Sequence, residues 1–153
     1  MPIHIEGAEA LIAKQSGIAA ALLPAAAEGM EKAMQPMVRD AKTNCPVDTG
    51  MLRGSIQATV QAGGDAVSGK LYSASEYALY VEMGTGPKGE AEHAGVAPVG
   101  VTYRPTGWVY RDERGFHYTT GQPARPFLYP AFKANKRLVL GYIAQAIRKR
   151  ISG

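Results

Sequence analysis

Apolar positions in the first third of the chain recur with the period of an α-helix. Residues 8–43 are rich in alanine, and their larger apolar residues are spaced by three and four positions, which places them on one helix face. The pattern therefore predicts a helix over residues 8–43. Proline lacks the N–H of an interior helical residue, so Pro24 is expected to begin a second segment and Pro36 to kink it. The supporting stripe consists of Met30, Met34, Val38 and Ala41.

The period changes to two after Ser55, as expected for strands that bury one face. Apolar residues alternate from Ile56 to Val60, residues 63–65 have the composition of a turn, and the alternation resumes from Val67 to Leu71. This arrangement predicts a β-hairpin.

A second hairpin is predicted near the middle of the chain. Residues Trp108–Arg111 and Phe116–Thr120 are rich in aromatic side chains, and they flank a polar turn at residues 112–115. The segment 75–86 fits either a strand or a short helix. Residues 86–105 contain glycine, proline and few periodic apolar positions, so we expect a loop there.

The last predicted element is a helix from Pro130, at its first position, to about Ile151. Helix, strands, strands and helix in this order indicate an α+β fold. We expect a long N-terminal helix, an antiparallel sheet built from hairpins, and a C-terminal helix packed on the sheet. The apolar face of that last helix comprises Ala131, Leu138, Tyr142, Ile143, Ala146 and Ile147.

Length and composition favour one ordinary globular domain over residues 1–153. Cys45 is the single cysteine, so no intrachain disulfide and no thiolate cluster can form. We see no signal peptide and no apolar run long enough for a membrane helix, and a cytosolic origin is the default expectation.

The charges are distributed unevenly along the chain. The net charge is +4, but residues 1–113 carry thirteen acids and nine bases, whereas residues 114–153 carry eight bases and no acid. Bases near the end of a helix complement its dipole, which is one interpretation of Arg148, Lys149 and Arg150. The other is a polarised molecule suited to stacking on itself or to lying beside nucleic acid.

The tripeptide Asp48-Thr49-Gly50 matches the loop of an aspartic protease, in which two carboxylates share a proton. A homodimer could supply the second Asp48, and residues 138–141 faintly resemble a later element of such enzymes. The approach to the tripeptide is polar and broken by Pro46, however. We therefore interpret it as a turn, in which Asp48 or Thr49 accepts from forward N–H groups and Gly50 permits the bend. A dimeric aspartic protease remains the alternative.

Other catalytic patterns are thinner still. His4, His93 and His117 are scattered, and Glu90, Glu92 and His93 lie together in a segment that we expect to be a solvated loop rather than a metal site. We find no phosphate-binding glycine loop and no nucleophile elbow. The sequence predicts no enzyme and no cofactor. A small basic nucleic-acid-binding module is a further alternative, although the bases are not interleaved with aromatic residues as a stacking platform requires.

Three segments carry a family resemblance. They are "AKTNCPVDTGMLRGSI" at residues 41–56, "YALYVEMGTG" at residues 77–86 and "GQPARPFLYPAFKANK" at residues 121–136. In this order and spacing the chain resembles the tail-component or head–tail joining proteins of long-tailed bacteriophages, the gene-product-ten type. Residues 87–105 match least, and we interpret them as a loop insertion.

The resemblance implies a structural virion protein, made in the cytoplasm of the bacterial host. It implies a homo-oligomeric ring of six or twelve subunits at the neck or the head-proximal end of the tail, through which DNA passes. Neck, tail-completion and tail-terminator positions all stay open. The implied partners are connector and tail-tube proteins, with at most weak non-specific contact to DNA and none to a membrane.

The resemblance also assigns structural roles to the three segments. The first would build the turn from helix into sheet, the second would end an element at a tight bend, and the third would stiffen the approach to the last helix and anchor it through Phe127 and Leu128. For the first and third, maintenance of the fold without partner contact is the favoured interpretation. We expect Glu82 to be exposed or paired with a basic partner, which makes it the best candidate for an inter-subunit ion pair. The matching residues are Pro46, Val47, Asp48, Thr49, Gly50, Leu52, Arg53, Val81, Glu82, Gly84, Thr85, Gln122, Pro123, Pro126, Phe127, Pro130 and Ala131.

The basic residues of the last segment would then face either the DNA channel or the acidic face of a neighbouring ring. They are Lys133, Lys136, Arg137, Arg148, Lys149 and Arg150.

Overall fold

The computed structural model describes residues 3–6, 11–12 and 17–152, with side chains described from residue 22 onward. It confirms an α+β fold built from one long helix, two antiparallel hairpins and C-terminal helices. The elements are β1 (Ile3–Glu6), β2 (Leu11–Ile12), α1 (Gly17–Asn44), α2 (Met51–Gly54), β3 (Ile56–Gly63), β4 (Ala66–Ser73), α3 (Ala78–Met83), α4 (Gly86–Ala91), β5 (Trp108–Asp112), β6 (Gly115–Thr119), α5 (Leu128–Asn135) and α6 (Val139–Ser152).

Helix α1 is shorter at its start than the sequence predicts, and it is continuous across Pro24 and Pro36. The expectation that Pro24 begins a second segment is wrong. Contacts with the sheet, α5 and α6 along the helix hold it together, and tertiary packing of this kind outweighs the loss of single backbone hydrogen bonds. Residues 11–12 form β2 rather than helix because they pair with β4.

The main sheet is built around β4, and it confirms the first hairpin. Strand β3 pairs antiparallel with one edge of β4, and β1 and β2 pair antiparallel with the other. Every second residue of β4 from Val67 to Ser73 is buried under α1. A Cβ atom on Gly69 would lie 2.7 Å from the Met34 sulfur, so this glycine lets the methionine stripe of α1 approach the sheet closely.

The predicted C-terminal helix is two helices joined by a 3₁₀ turn at Lys136–Leu138. Pro130 is therefore the third residue of α5 and not the first residue of a single helix. Both helices pack against α1, and α5 also contacts strands β1 and β4 of the sheet. At the end of α5 the buried Asn135 amide donates to the Asp40 carboxylate of α1 over 2.8 Å, which fixes the position of the break. Leu138, the last residue of the 3₁₀ turn, is half exposed and lies outside the apolar face predicted for it.

The middle of the chain forms two short helices and the second hairpin. The ambiguous segment folds as α3, and the first residues of the predicted loop form α4, which has a proline near its start. Strands β5 and β6 confirm the second hairpin. Within the described residues, no helix is both long and apolar enough to cross a membrane.

Candidate functional site

Glu82 connects the second of the three family-like segments to the third. Its side chain is fully buried, and one carboxylate oxygen, Oε2, accepts from the N–H groups of Phe127 at 2.7 Å and Leu128 at 3.0 Å. The other oxygen, Oε1, accepts from the N–H of Tyr129 at 2.9 Å. The first N–H groups of a helix have no acceptor within the helix, so this carboxylate caps α5 from outside. The prediction of an exposed Glu82 in an inter-subunit ion pair is wrong.

The environment of Glu82 acts on its proton affinity in two opposite directions. Burial raises the pKa of the Glu82 carboxyl, because the charged form is removed from water. The N–H groups of Phe127, Leu128 and Tyr129 stabilise the charged form and oppose that rise without cancelling it. The group is thus a structural tie between α3 and α5 that responds to protonation.

Backbone hydrogen bonds join the same two segments beside Glu82. Thr85 and Gln122 form an antiparallel bridge. The Thr85 N–H donates to the Gln122 carbonyl at an N···O distance of 2.9 Å, and the Gln122 N–H donates to the Thr85 carbonyl at 3.1 Å. The Gln122 side-chain amide donates to the Tyr80 carbonyl over 3.0 Å, and the Arg125 N–H donates to the Val81 carbonyl over 2.7 Å. The irregular stretch before α5 is therefore fixed to α3.

Gly84 makes the predicted tight bend after α3. Its φ angle is 75°, in the left-handed region that favours glycine. A Cβ atom there would also lie 2.7 Å from the Ala124 nitrogen and 2.9 Å from the Gln122 oxygen. Only glycine satisfies both the backbone angle and the close approach of the third segment, so the predicted role of this bend is confirmed.

The first segment forms the turn that we predicted around Asp48-Thr49-Gly50. The Thr49 hydroxyl accepts from the Met51 N–H at 3.3 Å, and Gly50 has a φ angle of 84°. Arg53 donates to the Cys45 carbonyl over 3.3 Å, which ties the turn to the end of α1. Asp48 itself is exposed to solvent.

The three segments together line one concave surface of about 580 Å³, which we call the turn groove. Four large apolar side chains of this groove are more than half exposed, which an ordinary polar surface would not show: Val47, Met51, Tyr77 and Tyr80. Exposed apolar patches of this kind mark interaction sites in folded proteins. The groove is lined by residues 46–52, Tyr77, Tyr80, Val81, Gln122 and Arg125.

Sequence reasoning identified the turn of this groove but missed its aromatic side. Tyr77 directly precedes α3, and Tyr80 lies three residues later within it. This spacing is typical of residues on one helix face. That spacing was the available signal. Which face of such a short helix is covered depends on the third segment, which contacts α3 from more than forty residues further along the chain.

The remaining residues of the family-like segments lie in the core or around the start of α5. Phe127, Leu128 and Ala131 are buried in the core, and Leu52 packs against it. Pro123, Pro126 and Pro130 are half-buried around the start of α5.

Side chains that could carry chemistry are scattered. Among the residues that the structure describes, no group of three or more His, Cys, Asp and Glu is placed to hold a metal. The His93 ring nitrogen Nδ1 lies 2.6 Å from the Glu90 carbonyl oxygen, and His117 pairs with Asp112 at 2.9 Å. Cys45 is buried, and burial raises the pKa of its thiol, which disfavours the nucleophilic thiolate.

All six predicted basic residues are exposed, but two of them have an acid nearby. The pKa of Glu28 in α1 is lowered mainly by its hydrogen bond to Lys32 at 2.9 Å, and also by the charges of Lys149 and Arg150. The fold therefore brings a carboxylate toward the end of α6, where the sequence alone shows only bases. The six are Lys133, Lys136, Arg137, Arg148, Lys149 and Arg150.

Comparison with known proteins gives one family. Residues 9–84, about half of the chain, match the HK97-gp10-like family, described as bacteriophage HK97-gp10, putative tail-component. The matched range contains the first resembling segment and nearly all of the second, whereas the third, at residues 121–136, lies beyond it. No curated protein and no solved structure matches the chain.

Proposed function

Because the chain belongs, through residues 9–84, to the HK97-gp10-like family of phage tail components, we propose that it forms a ring at the head–tail interface of a long-tailed bacteriophage. The ring would have six or twelve copies and would complete the tail or join it to the head, with DNA passing through its centre. The family match is the observation that carries this proposal. Connector and tail-tube proteins would be the neighbours in the virion.

Exposed apolar surfaces on this chain support an assembling role. Besides the turn groove, the second hairpin exposes Val109, Phe116 and Tyr118, and α6 exposes Leu140 and Ile151. Surfaces of this kind are covered in an oligomer or by a neighbouring protein. A subunit that buries them only after assembly would remain weakly associated in solution.

The exposed bases of α5, of the 3₁₀ turn after it and of α6 support a position beside DNA or beside an acidic neighbour. Among the residues that the structure describes, these bases are not combined with phosphate-binding loops or a platform of stacked aromatic side chains, so tight binding is not expected. A conduit that bound phosphates tightly would slow the passage of the genome. Weak contact that disappears near physiological salt suits the proposed role.

Assembly on tail tubes is the direct test. Light scattering over a concentration series, with and without isolated tail tubes, should show weak oligomers alone and a defined ring when tubes are present. Negative-stain images should then show density that closes one end of the tube. A protein that stays monomeric at every concentration and never binds a tube end would contradict the proposal.

A further inference from the structure

The second hairpin presents an apolar face that the described part of the chain leaves uncovered. Val109 is paired with Tyr118, and Arg111 with Phe116. Residues directly opposite in an antiparallel pair share one face of the ribbon. We call this side of the ribbon the hairpin face. Its apolar side chains are exposed: Val109 by 61%, Tyr118 by 70% and Phe116 by 76%.

On its opposite side the hairpin contacts the body of the chain at its base, through Trp108. Trp108 is half-buried beside α4, where a Cβ atom on Gly86 would lie 2.7 Å from its ring. The Arg104 guanidinium covers the other side of that ring, 5.4 Å from its centroid. Because side chains alternate across a strand, the neighbouring Val109 side chain points away from this contact. The hairpin face is thus directed away from the contact at Trp108.

The hairpin face and the turn groove both expose apolar side chains, and charges of both signs lie beside each of them. One is a projecting ribbon with three exposed apolar side chains, and the other is a concavity with four. Arg111 is held over the Phe116 ring at 5.5 Å, so the hairpin face carries a positive charge, and the groove wall carries the exposed carboxylate of Asp48. At the hairpin tip Glu113 is exposed, and the exposed Arg125 also lines the groove.

The charged groups on both sides are available for a partner. In the part of the chain that the structure describes, Asp48, Glu113 and Arg125 form no ion pair through their side chains. Opposite charges placed at the rim of an apolar contact select one orientation of the partner and disfavour the others.

We propose that the hairpin face of one copy docks into the turn groove of the next copy, with Arg111 beside the neighbour's Asp48 and Glu113 beside the neighbour's Arg125. The contact uses two different surfaces of the same chain, which is the head-to-tail arrangement that generates rings when its rotation closes. This inference rests on the proposed ring and assigns its interface. Every copy in a closed ring uses both surfaces, so none remains exposed.

Cysteine cross-linking between two different variants tests the pairing. Met51→Cys places a thiol in the groove and Phe116→Cys places one on the hairpin face, and both native side chains are more than 70% exposed, so neither change disturbs the core. The natural Cys45 is buried and stays unreactive. The two proteins carry tags of different size and are joined by a short bismaleimide at a concentration where light scattering detects oligomers.

The expected result is a covalent product that contains one copy of each variant and appears only in the mixture. A protein with both changes should give a ladder of covalent oligomers. Val99→Cys mixed with Phe116→Cys is the matched control, because Val99 is similarly exposed but lies outside the groove. If the main product is a dimer of Phe116→Cys with itself, or if the control pair links as well as the test pair, the proposed interface is wrong.

A charge exchange gives a second, independent measurement. Arg111→Glu and Asp48→Arg should each weaken self-association, by about tenfold, because each puts like charges together. Both changes in one chain restore opposite charges at every contact and should recover most of the association. Failure of the double variant to recover would count against the pairing.

The two proposals fail in different ways. Rings that form on tail tubes without the groove–hairpin cross-link would leave the proposed function standing and remove this interface. A protein that forms no ring and never enters the virion, yet still cross-links as expected, would remove the proposed function and leave a self-association of another purpose.

Discussion

Glu82 is the residue on which the candidate site depends most. Its two oxygens satisfy the first N–H groups of α5, which lie in the protein interior. A buried N–H without a partner costs about 1–3 kcal/mol. Glu82→Ala leaves the buried N–H groups of Phe127 and Leu128 and the part-buried N–H of Tyr129 without this acceptor. We expect this variant to lose about 3 kcal/mol or more of its unfolding free energy, measured by urea denaturation.

A matched variant separates the hydrogen bonds from the volume of the side chain. Glu82→Gln keeps the shape and one acceptor oxygen, but it turns an NH₂ group toward a backbone N–H that also donates. The unfolding free energy of Glu82→Gln should lie between those of the wild-type protein and Glu82→Ala. A loss below about 1 kcal/mol for Glu82→Ala would show that water replaces the carboxylate at this position.

The stability of the protein should also depend on the protonation of Glu82. Because folding raises the pKa of this acid, the folded state binds the proton more tightly than the unfolded chain does. The stabilisation is therefore complete below the ordinary value of 4.5 and is lost as pH rises through the higher folded pKa. The difference in unfolding free energy between the wild-type protein and Glu82→Gln should grow as pH falls from neutrality toward 4.5. A difference that shrinks instead would mean that the N–H groups outweigh burial.

Cys45 provides a simple reporter of the folded state. Its side chain is buried at the end of α1, and the raised pKa of its thiol leaves little thiolate at neutral pH. We expect labelling by a thiol reagent to proceed only through opening of the structure, and to accelerate by orders of magnitude in denaturant. Rapid labelling of the native protein would show that this end of α1 opens readily.

At the scale of elements, the contact between α1 and α6 depends on one glycine. A Cβ atom on Gly29 would lie 2.5 Å from the Ile143 Cα and 2.8 Å from the Tyr142 oxygen, so both helix backbones meet there. Gly29→Ala must push α6 away, and we expect a loss of about 1–3 kcal/mol in unfolding free energy.

Gly141→Ala is the matched control for this change. Gly141 is also helical, but a Cβ atom there meets nothing within 4 Å. Alanine is the better helix former by about 0.5–1 kcal/mol, so this variant should gain stability. If both variants shift the urea midpoint in the same direction, the close approach of the helices does not decide the packing.

The local elements of this chain could be predicted from sequence, because their signals are local. Alternation and turn residues predicted both hairpins, and the φ angle of Gly50 agrees with the turn expected there. The break after α5 could not be predicted in this way. It depends on Asn135 reaching Asp40, which lies 95 residues earlier in the chain.

The same distinction explains what sequence reasoning missed at the site. A glutamate between apolar residues is usually exposed, and nothing in its neighbours along the chain shows that three N–H groups will surround it. The pairing of β2 with β4 was missed for a similar reason, because an alanine-rich stretch looks helical until its distant partner is known.

At the scale of the whole molecule, the bases at the end of α6 are the feature that bears on the proposed passage of DNA. Replacing Arg148, Lys149 and Arg150 by Gln removes three exposed charges, and Glu28 keeps its hydrogen bond to Lys32. We expect the fold to remain intact and the yield of infectious particles to fall, because heads and tails join less efficiently. A second triple change at Lys133, Lys136 and Arg137 shows whether α5 and the 3₁₀ turn after it contribute in the same way.

DNA affinity at two salt concentrations completes this test. Each neutralised phosphate adds about one unit to the log–log slope of affinity against salt, so a weak conduit and a true DNA-binding module differ clearly. Full infectivity of the first triple variant would mean that its charges serve only the helix end.

The tie between Glu82 and α5 also orders the events of folding. It closes a loop of 45 residues or more between the carboxylate and its N–H donors, whereas each hairpin closes across only a few residues. Contacts between distant parts of a chain form late, because the entropy lost in closing the loop must be overcome before the contacts stabilise the fold. We therefore expect nascent chains to acquire α1 and both hairpins first and the turn groove last. A chain that is still folding would then lack one of its two proposed docking surfaces, which would delay the proposed assembly until each subunit is complete.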